Sequence, residues 1–151
     1  MRRSLFGLAL GAAALALFSG IKTQALPGKD DAAKAHGPIA WSESLPNAMK
    51  AASKDKKVVM VDFWATWCGP CKQMLATTYK DKGVVEKSKQ FVPVLVDVDK
   101  QPALAKKYGV EAIPTVIFLD GKGNVLGKST GYVPSGDFLK LMAEAKGKLK
   151  S

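Results

Sequence analysis

The chain has 151 residues, of which 47% are hydrophobic, and a formal net charge of +10. This length accommodates one domain and a short additional segment, and the apolar fraction is ample for a buried core. The charge does not indicate a nucleic-acid binder, because Arg2 and Arg3 are the only arginines and every later basic residue except His36 is a lysine. Without arginine, the body of the chain lacks the forked donor that reads phosphates and guanine edges. We interpret the lysines as a solvated surface that can steer the protein towards acidic partners or a membrane surface.

Residues 1–25 have the three-part pattern of a secretory signal peptide. Arg2 and Arg3 give a positive start, Leu5 to Phe18 is an apolar run, and residues 23–25 (Thr-Gln-Ala) form a small-x-small pattern. The pattern predicts cleavage after Ala25. The apolar run is shorter than the about 20 residues that a membrane-spanning helix needs. An N-terminal membrane anchor that is not cleaved is the alternative.

Residues 26–40 mix Gly, Ala, Lys, Asp and Pro without periodicity, which predicts a flexible linker. His36 lies in this segment, and we expect its side chain to be solvated. A folded domain is predicted over residues 41–151. Its first element is a helix from Leu45 to about Lys54, which Ser44 is positioned to cap.

A continuous apolar run begins at Val58 and is typical of a buried parallel strand. It leads into a proline-containing turn that holds the only two cysteines, Cys68 and Cys71, with the spacing C-x-x-C. Cys68 lies where a helix is expected to begin, near unpaired backbone N–H groups and the positive end of the helix dipole. These groups favour the reactive thiolate. The pair therefore indicates thiol–disulfide exchange.

Two other functions for the C-x-x-C pair stay open at this point. A zinc site needs two further ligands, and the chain offers no other cysteine and only one histidine, His36. A purely structural disulfide is the second alternative, although so short a loop removes little conformational entropy from the unfolded chain. Both alternatives are weaker than the redox interpretation.

The rest of the chain alternates helical and strand patterns. After Cys71 they predict a helix to about Lys80, which Gly83 breaks, and a short helix from Val84 to about Lys89. A strand from Phe91 to Val98 and a helix from Gln101 to Tyr108 follow. The last elements are a strand from Thr115 to Leu119, a hairpin loop at 120–124, a strand from Val125 to about Thr130 and a helix that begins at Ser135. A helical crossover joins the first two strands, which are therefore expected to be parallel. The hairpin adds an antiparallel edge.

The stretch Trp67-Cys68-Gly69-Pro70-Cys71-Lys72, preceded by residues 61–65 (VDFWA) and followed by Ile113-Pro114-Thr115, resembles the thioredoxin family. The resemblance covers about residues 58–149. It implies an α/β thioredoxin fold, with a central mixed sheet and helices on both faces. The leading segment from Trp41 to Lys57 is similar to the thiol-exchange domain of membrane electron-relay proteins of the DsbD type.

The resemblance also implies roles for two residues near the cysteines. Asp62 matches the buried aspartate that moves a proton on and off the resolving thiol, here Cys71. The alternative is a solvent-facing aspartate at a strand edge, which the apolar neighbours disfavour. Pro114 matches a cis proline packed beside the disulfide. From the residues alone, a trans proline that starts an edge strand is the expected form.

Further residues match the shallow groove that binds a partner's extended chain in this family. The groove residues are Trp67, Gly69, Pro70, Ile113 and Gly131. There are two departures from the family pattern. Ala76 stands where a helix-kinking proline is usual, and Leu95 stands where a lysine often accompanies the buried aspartate.

These observations predict an exported thiol–disulfide oxidoreductase that acts on protein partners, more as a reductant than as an oxidant. The expected partners are proteins with disulfides or dithiols and a membrane electron relay that supplies electrons. No cofactor, metal or nucleic acid is expected, and the protein is expected to be a monomer in the periplasm or an equivalent compartment. An oxidase or isomerase of secreted proteins and a non-enzymatic chaperone or assembly module are the alternative functions.

Overall fold

The computed structural model describes residues 36–149. They form an α/β fold around a four-stranded sheet with the order β2-β1-β3-β4. The elements in chain order are α1 (Leu45–Asp55), β1 (Val58–Trp64), α2 (Gly69–Ala76), a 3-10 helix (Thr78–Lys80), α3 (Lys82–Ser88), β2 (Phe91–Asp97), α4 (Pro102–Lys107), β3 (Thr115–Leu119), β4 (Val125–Thr130) and α5 (Ser135–Leu149). The predicted succession of strands is confirmed.

Strand β1 is the centre of the sheet, because it pairs in parallel with β2 on one side and antiparallel with β3 on the other. Strand β4 pairs antiparallel with β3. All residues of β1 from Val58 to Phe63 are buried, which explains why the sequence of this strand is almost continuously apolar. The predicted parallel pair and antiparallel hairpin are both confirmed.

The sheet separates two apolar cores, since successive side chains of a strand point to opposite faces. Val59, Val61 and Phe63 pack in the core that α1 and α4 cover. Val58 and Met60 pack in the second core, which α2, the 3-10 helix, α3 and α5 cover. Helices therefore lie on both faces of the sheet, as the resemblance implies.

The helix that follows the cysteines ends earlier than predicted. Helix α2 stops at Ala76, and Thr77 has φ −122° and ψ −75°, outside the helical region. The prediction that Gly83 breaks the helix is wrong, because Gly83 lies inside α3. Helix α3 begins instead at an N-cap aspartate, Asp81, whose Oδ1 accepts a hydrogen bond from the backbone N–H of Val84 at 3.0 Å.

The part of the predicted linker that the structure describes is packed against the domain. His36 and Ile39 are only 4% and 3% exposed. The His36 ring contacts Trp64 edge-on with ring centroids 4.1 Å apart. The backbone carbonyl of His36 accepts a hydrogen bond from Trp41 Nε1 at 3.2 Å. The expectation that His36 is solvated is therefore wrong. The packed region begins before residue 41 because aromatic contacts bury this segment.

The predicted signal peptide, residues 1–25, and residues 26–35 of the predicted linker lie outside the described residues. Within residues 36–149, no helix combines the length and the apolar character needed to span a membrane. The cleaved signal peptide and the uncleaved anchor therefore both stay predictions from the sequence.

Candidate active site

The two cysteines form a disulfide where the central strand passes into helix α2. Strand β1 ends at Trp64, and a short loop leads to Cys68, which is the N-cap of α2 and has an extended backbone conformation. Cys71 lies in the first turn of the helix, with its Cα 5.3 Å from that of Cys68. The backbone N–H of Cys71 donates a hydrogen bond to Cys68 Sγ at 3.2 Å. Both cysteines are buried, with 3% and 2% of their surface exposed.

This position stabilises negative charge on Cys68 when the disulfide is reduced. The first N–H groups of α2 have no partner within the helix, and the positive end of the helix dipole lies there. Pro70 fits the first turn because an N–H group at that position would have no helical acceptor. Gly69 and Pro70 are both exposed. The turn beside Cys68 is thus open to another molecule, although the sulfur itself is largely covered.

The described residues do not group the donors that a zinc site needs. Within residues 36–149, no cluster of three or more His, Cys, Asp or Glu side chains is placed to hold a metal ion. The His36 ring packs edge-on against Trp64 and belongs to no such cluster. The arrangement around Cys68 and Cys71 therefore fits thiol chemistry better than tetrahedral zinc binding.

Asp62 lies on the sheet face that the cysteine-bearing helix covers. It is 2% exposed, and it points to the same face as Met60, which packs in the core beneath α2 and the 3-10 helix. Burial raises the pKa of Asp62 from 3.8 to about 7, and the nearby Tyr79 hydroxyl offsets part of that rise. The alternative of a solvent-facing aspartate is excluded. The carboxyl group can therefore exchange a proton near neutral pH.

The neighbours of Asp62 in the sheet are apolar on both sides. Its register partner on β2 is Leu95, and its register partner on β3 is Val116. Leu95, which departs from the lysine expected from the family pattern, is thus the direct neighbour of Asp62 on β2. Without a cation at that position, desolvation dominates the pKa of the carboxyl group.

The chain approaches the disulfide again at Ile113 and Pro114. The peptide bond between them is cis, as the resemblance implies. Ile113 packs against the buried cluster that contains Cys68 and Cys71. The backbone N–H of Gly131 donates a hydrogen bond to the Pro114 carbonyl at 2.8 Å, and Gly131 has φ +90°, which residues with a side chain rarely adopt. The structure therefore brings Ile113, Pro114 and Gly131 together on one side of the disulfide.

Trp67 presents a large aromatic surface directly before Cys68. Its side chain is 66% exposed, and its Nε1 donates a hydrogen bond to Asp99 Oδ2 at 2.9 Å. Asp99 lies just after β2, the strand next to β1, and its carboxylate holds the Trp67 indole in one orientation. An exposed, oriented aromatic ring beside a reactive sulfur is well suited to contact a protein partner.

Sequence reasoning misses three residues that the structure places at or near the site. Asp99 orients Trp67, Tyr79 interacts with Asp62, and Thr78 donates a hydrogen bond from Oγ1 to the Val133 carbonyl at 2.6 Å. The helix break that turns Thr78 and Tyr79 inward contains no glycine or proline to announce it. At the end of a predicted helix, an aromatic residue such as Tyr79 indicates only that it belongs to the apolar core.

The family comparison decides between thiol–disulfide exchange, a zinc site and a purely structural disulfide, the three functions that the sequence leaves open for the C-x-x-C pair. The thioredoxin-like domain family matches residues 45–146, which is more than half of the chain. The chain belongs to the thioredoxin-like family. The match includes the disulfide, Asp62 and Pro114.

Similar proteins include thioredoxins and a thiol:disulfide interchange protein. The thioredoxin of Streptomyces clavuligerus is 39% identical over 87 residues, which cover 58% of this chain and 78% of that protein. The thiol:disulfide interchange protein DsbD of Vibrio vulnificus is 35% identical over 104 residues, which cover 65% of this chain but 18% of DsbD. The solution structure of a thioredoxin from Thermus thermophilus superposes with a TM-score of 0.64 at 31% identity, covering 71% of this chain and 86% of that one.

Membership of this family and the Cys68–Cys71 pair together identify the chemistry. The protein is a thiol:disulfide oxidoreductase of the thioredoxin type. Such proteins act on the disulfides of other proteins. The C-x-x-C pair is therefore a redox-active centre and not only a structural link.

Proposed function

We propose that this protein is an exported oxidoreductase that reduces disulfides in other proteins. The observation that carries the proposal is the Cys68–Cys71 disulfide at the N-terminus of α2, on the same side of the sheet as the buried carboxyl group of Asp62. The disulfide form is the state that the enzyme reaches after it has given two electrons to a partner.

Cys68 is the nucleophile in the proposed mechanism. Its thiolate attacks one sulfur of the partner's disulfide, and the other partner sulfur leaves as a thiolate. The product is a mixed disulfide between Cys68 and the partner. The helix N-terminus and the N–H of Cys71 support the thiolate before the attack.

Cys71 completes the exchange. Its thiol loses a proton to Asp62, and the resulting thiolate attacks Cys68 Sγ, which releases the partner as a dithiol and leaves the Cys68–Cys71 disulfide. Asp62 suits the role of proton acceptor because its pKa of about 7 lets it take and return a proton under neutral conditions.

The partner's backbone is held beside the disulfide by the segment around the cis proline. In the proposed complex, the backbone of Ile113 pairs with an extended stretch of the partner, as in the addition of a strand. Gly131 lets that chain approach closely, and Trp67, Gly69 and Pro70 form the other wall of the groove. The exposure of Trp67, Gly69 and Pro70 supports this arrangement.

The residues between the cysteines support the proposed direction of electron flow. Gly69 and Pro70 are the pair found in thioredoxins, which are reductants with potentials of about −270 mV, whereas the oxidant DsbA lies at about −120 mV. An exported reductant works in an oxidising compartment. It therefore needs a source of electrons, which we propose to be a membrane relay, and the similarity to part of DsbD supports this.

Export is proposed from the pattern of residues 1–25. When the full chain is produced in a bacterium, mass spectrometry of the periplasmic fraction is expected to find a protein that begins at Leu26. A product that keeps Met1 to Ala25 and stays with the membrane would support the anchored alternative. A full-length product in the cytosol would refute export.

The direction is tested by equilibrating the protein with glutathione buffers and counting free thiols by alkylation and mass spectrometry. A midpoint near about −270 mV is expected, and a midpoint near about −120 mV would favour the oxidase or isomerase function. Cellular activity that persists in the Cys68→Ser variant would favour the non-enzymatic chaperone function.

A further inference from the structure

Tyr79 places a phenol hydroxyl group deep in the core behind the active site. The residue is completely buried. Its ring contacts Trp41 and Phe138 edge-on, with centroids 5.1 Å and 5.5 Å apart. These contacts fix the direction of the hydroxyl group, which has no hydrogen-bond partner among the described residues. A buried hydroxyl without a partner is costly and calls for an explanation.

One oxygen of the Asp62 carboxyl group is a second buried polar atom of this core without a hydrogen-bond partner among the described residues. Asp62 Oδ1 is buried and makes no hydrogen bond to the described residues. The two groups nevertheless interact, because Tyr79 lowers the pKa of Asp62 while Asp62 adds to the rise that burial gives to the pKa of Tyr79. One group is a donor that needs an acceptor, and the other becomes a strong acceptor on ionisation.

We propose that Tyr79 is a positioning residue for proton transfer at Cys71, and that its hydroxyl group donates a hydrogen bond to the Asp62 carboxylate, directly or through one bridging water. The inference rests on the proposed role of Asp62 as the proton acceptor. The proton passes from Cys71 Sγ to the Asp62 carboxylate. Tyr79 keeps its own proton throughout, because its pKa lies well above the ordinary value.

Two features of the fold explain why Tyr79 is the hydrogen-bond donor for the Asp62 carboxylate. Leu95, the register partner of Asp62 on β2, has no polar group to offer. Helix α2 ends at Ala76, and the hydrogen bond from Thr78 Oγ1 to the Val133 carbonyl holds the following 3-10 helix against the core. The break in the helix thus turns Tyr79 into the core on the face of the sheet that carries Asp62.

The other titratable groups on the face of the sheet that α2 covers do not interact with the Asp62 carboxyl group. The charged side chains of α2, α3 and α5 are not buried. On β2, Asp97 lies 3.8 Å from Lys100, and on the N-terminal segment the His36 ring packs against Trp64. Among the described residues, Tyr79 is the one side chain whose interaction changes the pKa of Asp62. In the reduced protein, the thiol of Cys71 is the additional titrating group.

Tyr79→Phe tests the proposal because it removes the hydroxyl group and keeps the ring. In the reduced full-length protein, ¹³C NMR follows the Asp62 carboxyl resonance, which is assigned by its loss in Asp62→Asn. The hydroxyl group stabilises the carboxylate, so its removal is expected to move the titration midpoint upward by about one to two pH units. An unchanged midpoint in a folded Tyr79→Phe protein would overturn the proposal.

A second readout follows the chemistry of Cys71. The Cys68 thiolate attacks an aromatic disulfide reagent, which forms a mixed disulfide and releases one coloured thiolate. Cys71 then attacks Cys68 Sγ and releases the second coloured thiolate, and this second release is the step that is followed. In Tyr79→Phe, the pH of the half-maximal displacement rate is expected to shift in the alkaline direction by a similar amount. In the Asp62→Asn background, Tyr79→Phe is expected to leave the pH profile unchanged. A shift of the same size in that background would contradict a role through Asp62.

Tyr108→Phe is the matched control. Tyr108 packs against Phe63 on the other face of the sheet, with ring centroids 6.2 Å apart. The same chemical change there is expected to leave the Asp62 titration unchanged, and an equal shift would contradict the proposal.

The proposal stays testable if Tyr79→Phe does not fold. In wild-type protein with ¹³Cζ-labelled tyrosine, the Tyr79 resonance is expected to move with the midpoint of the Asp62 carboxyl group, and a resonance that does not move would overturn the proposal. If wild-type Cys71 fails to displace the reagent, the proposed mechanism fails, while the carboxyl titration still decides the role of Tyr79.

Discussion

The backbone N–H of Cys71 donates a hydrogen bond to Cys68 Sγ, 3.2 Å away, so the sulfur of Cys68 takes the place that a serine or aspartate oxygen takes at many helix N-termini. A sulfur in this position becomes a better acceptor when it is ionised. The two residues of the redox pair are therefore unequal: one is held at the helix terminus, and the other lies within the first turn.

This inequality predicts that Cys68 reacts much faster than Cys71. In the reduced Cys71→Ser variant, alkylation of Cys68 by iodoacetamide at neutral pH is expected to be roughly tenfold faster than alkylation of free cysteine, because more of the thiol is ionised. Stopped alkylation reactions analysed by mass spectrometry give the rate.

Cys68→Ser is the matched control for this measurement. Its remaining thiol, Cys71, is buried and lacks the position at the helix N-terminus, so its alkylation is expected to be slow. Equal rates for Cys68 and Cys71 would contradict the assignment of the nucleophile.

The Asp62 carboxyl group makes stability depend on pH. Burial raises the pKa of Asp62 to about 7, so ionisation costs more in the folded protein than in the unfolded chain. Stability therefore falls as the pH rises from about 3.8 to about 7 and levels off above that. The Asp62→Asn variant escapes this loss, so its advantage over the wild type should grow through the same window, to at most about 4 kcal/mol.

Urea unfolding of the oxidised proteins at several pH values measures this difference. Asp137→Asn is a suitable control, because Asp137 is an exposed residue whose ion pair with Lys140 lies in solvent and adds little to stability. An advantage of Asp62→Asn that stays constant with pH would show that the carboxyl group ionises as it does in the unfolded chain.

Thr78 fastens the 3-10 helix to the segment that follows Gly131. Its Oγ1 donates a hydrogen bond to the Val133 carbonyl at 2.6 Å in a buried environment. Thr78→Val keeps the shape but leaves the carbonyl without this donor, so a loss of about 1–3 kcal/mol is expected in urea unfolding. The same change at Thr77, whose side chain is exposed, should cost less. Equal losses at both positions would argue against a specific role for the Thr78 hydrogen bond.

Gly121 lies where the β3–β4 hairpin loop meets helix α1. A Cβ atom there would lie 2.6 Å from Ser53 Cα, and Ser53 Oγ donates a hydrogen bond to the Gly121 carbonyl at 2.8 Å. Gly121→Ala is expected to destabilise the fold by about 1–3 kcal/mol, because backbone must move to make room. In Gly147→Ala, the new Cβ meets nothing within 4 Å, and thermal unfolding should show no loss. A stable Gly121→Ala protein would mean that the loop moves freely.

Strands β1 and β3 are predictable because they are continuous apolar runs, whereas β4 has no buried residue and is predicted from the hairpin loop that precedes it. The run from Val58 to Phe63 is buried throughout, and β3 is buried along its whole length. The cis form of the Ile113–Pro114 bond was implied only by the family resemblance, since the local preference between isomers is less than about 1 kcal/mol.

The errors arise where distant contacts override local signals. Gly83 was expected to break a helix, but Asp81 caps α3 just before it and the chain bends at Thr77 instead. His36 lies in a polar, aperiodic stretch, but in the fold its ring packs against Trp64 and the residue is buried. The inward direction of Tyr79 depends on the same bend, so the sequence could not reveal its interaction with Asp62.

Trapping a mixed disulfide tests most directly that Cys68 attacks and Cys71 resolves. Reduced Cys71→Ser is mixed with an oxidised protein substrate, and the products are analysed by mass spectrometry without reductant. The account predicts a persistent covalent adduct through Cys68, which a reductant releases, and no adduct from Cys68→Ser. The absence of an adduct from Cys71→Ser, or an equal yield through Cys71 in the Cys68→Ser variant, would contradict it.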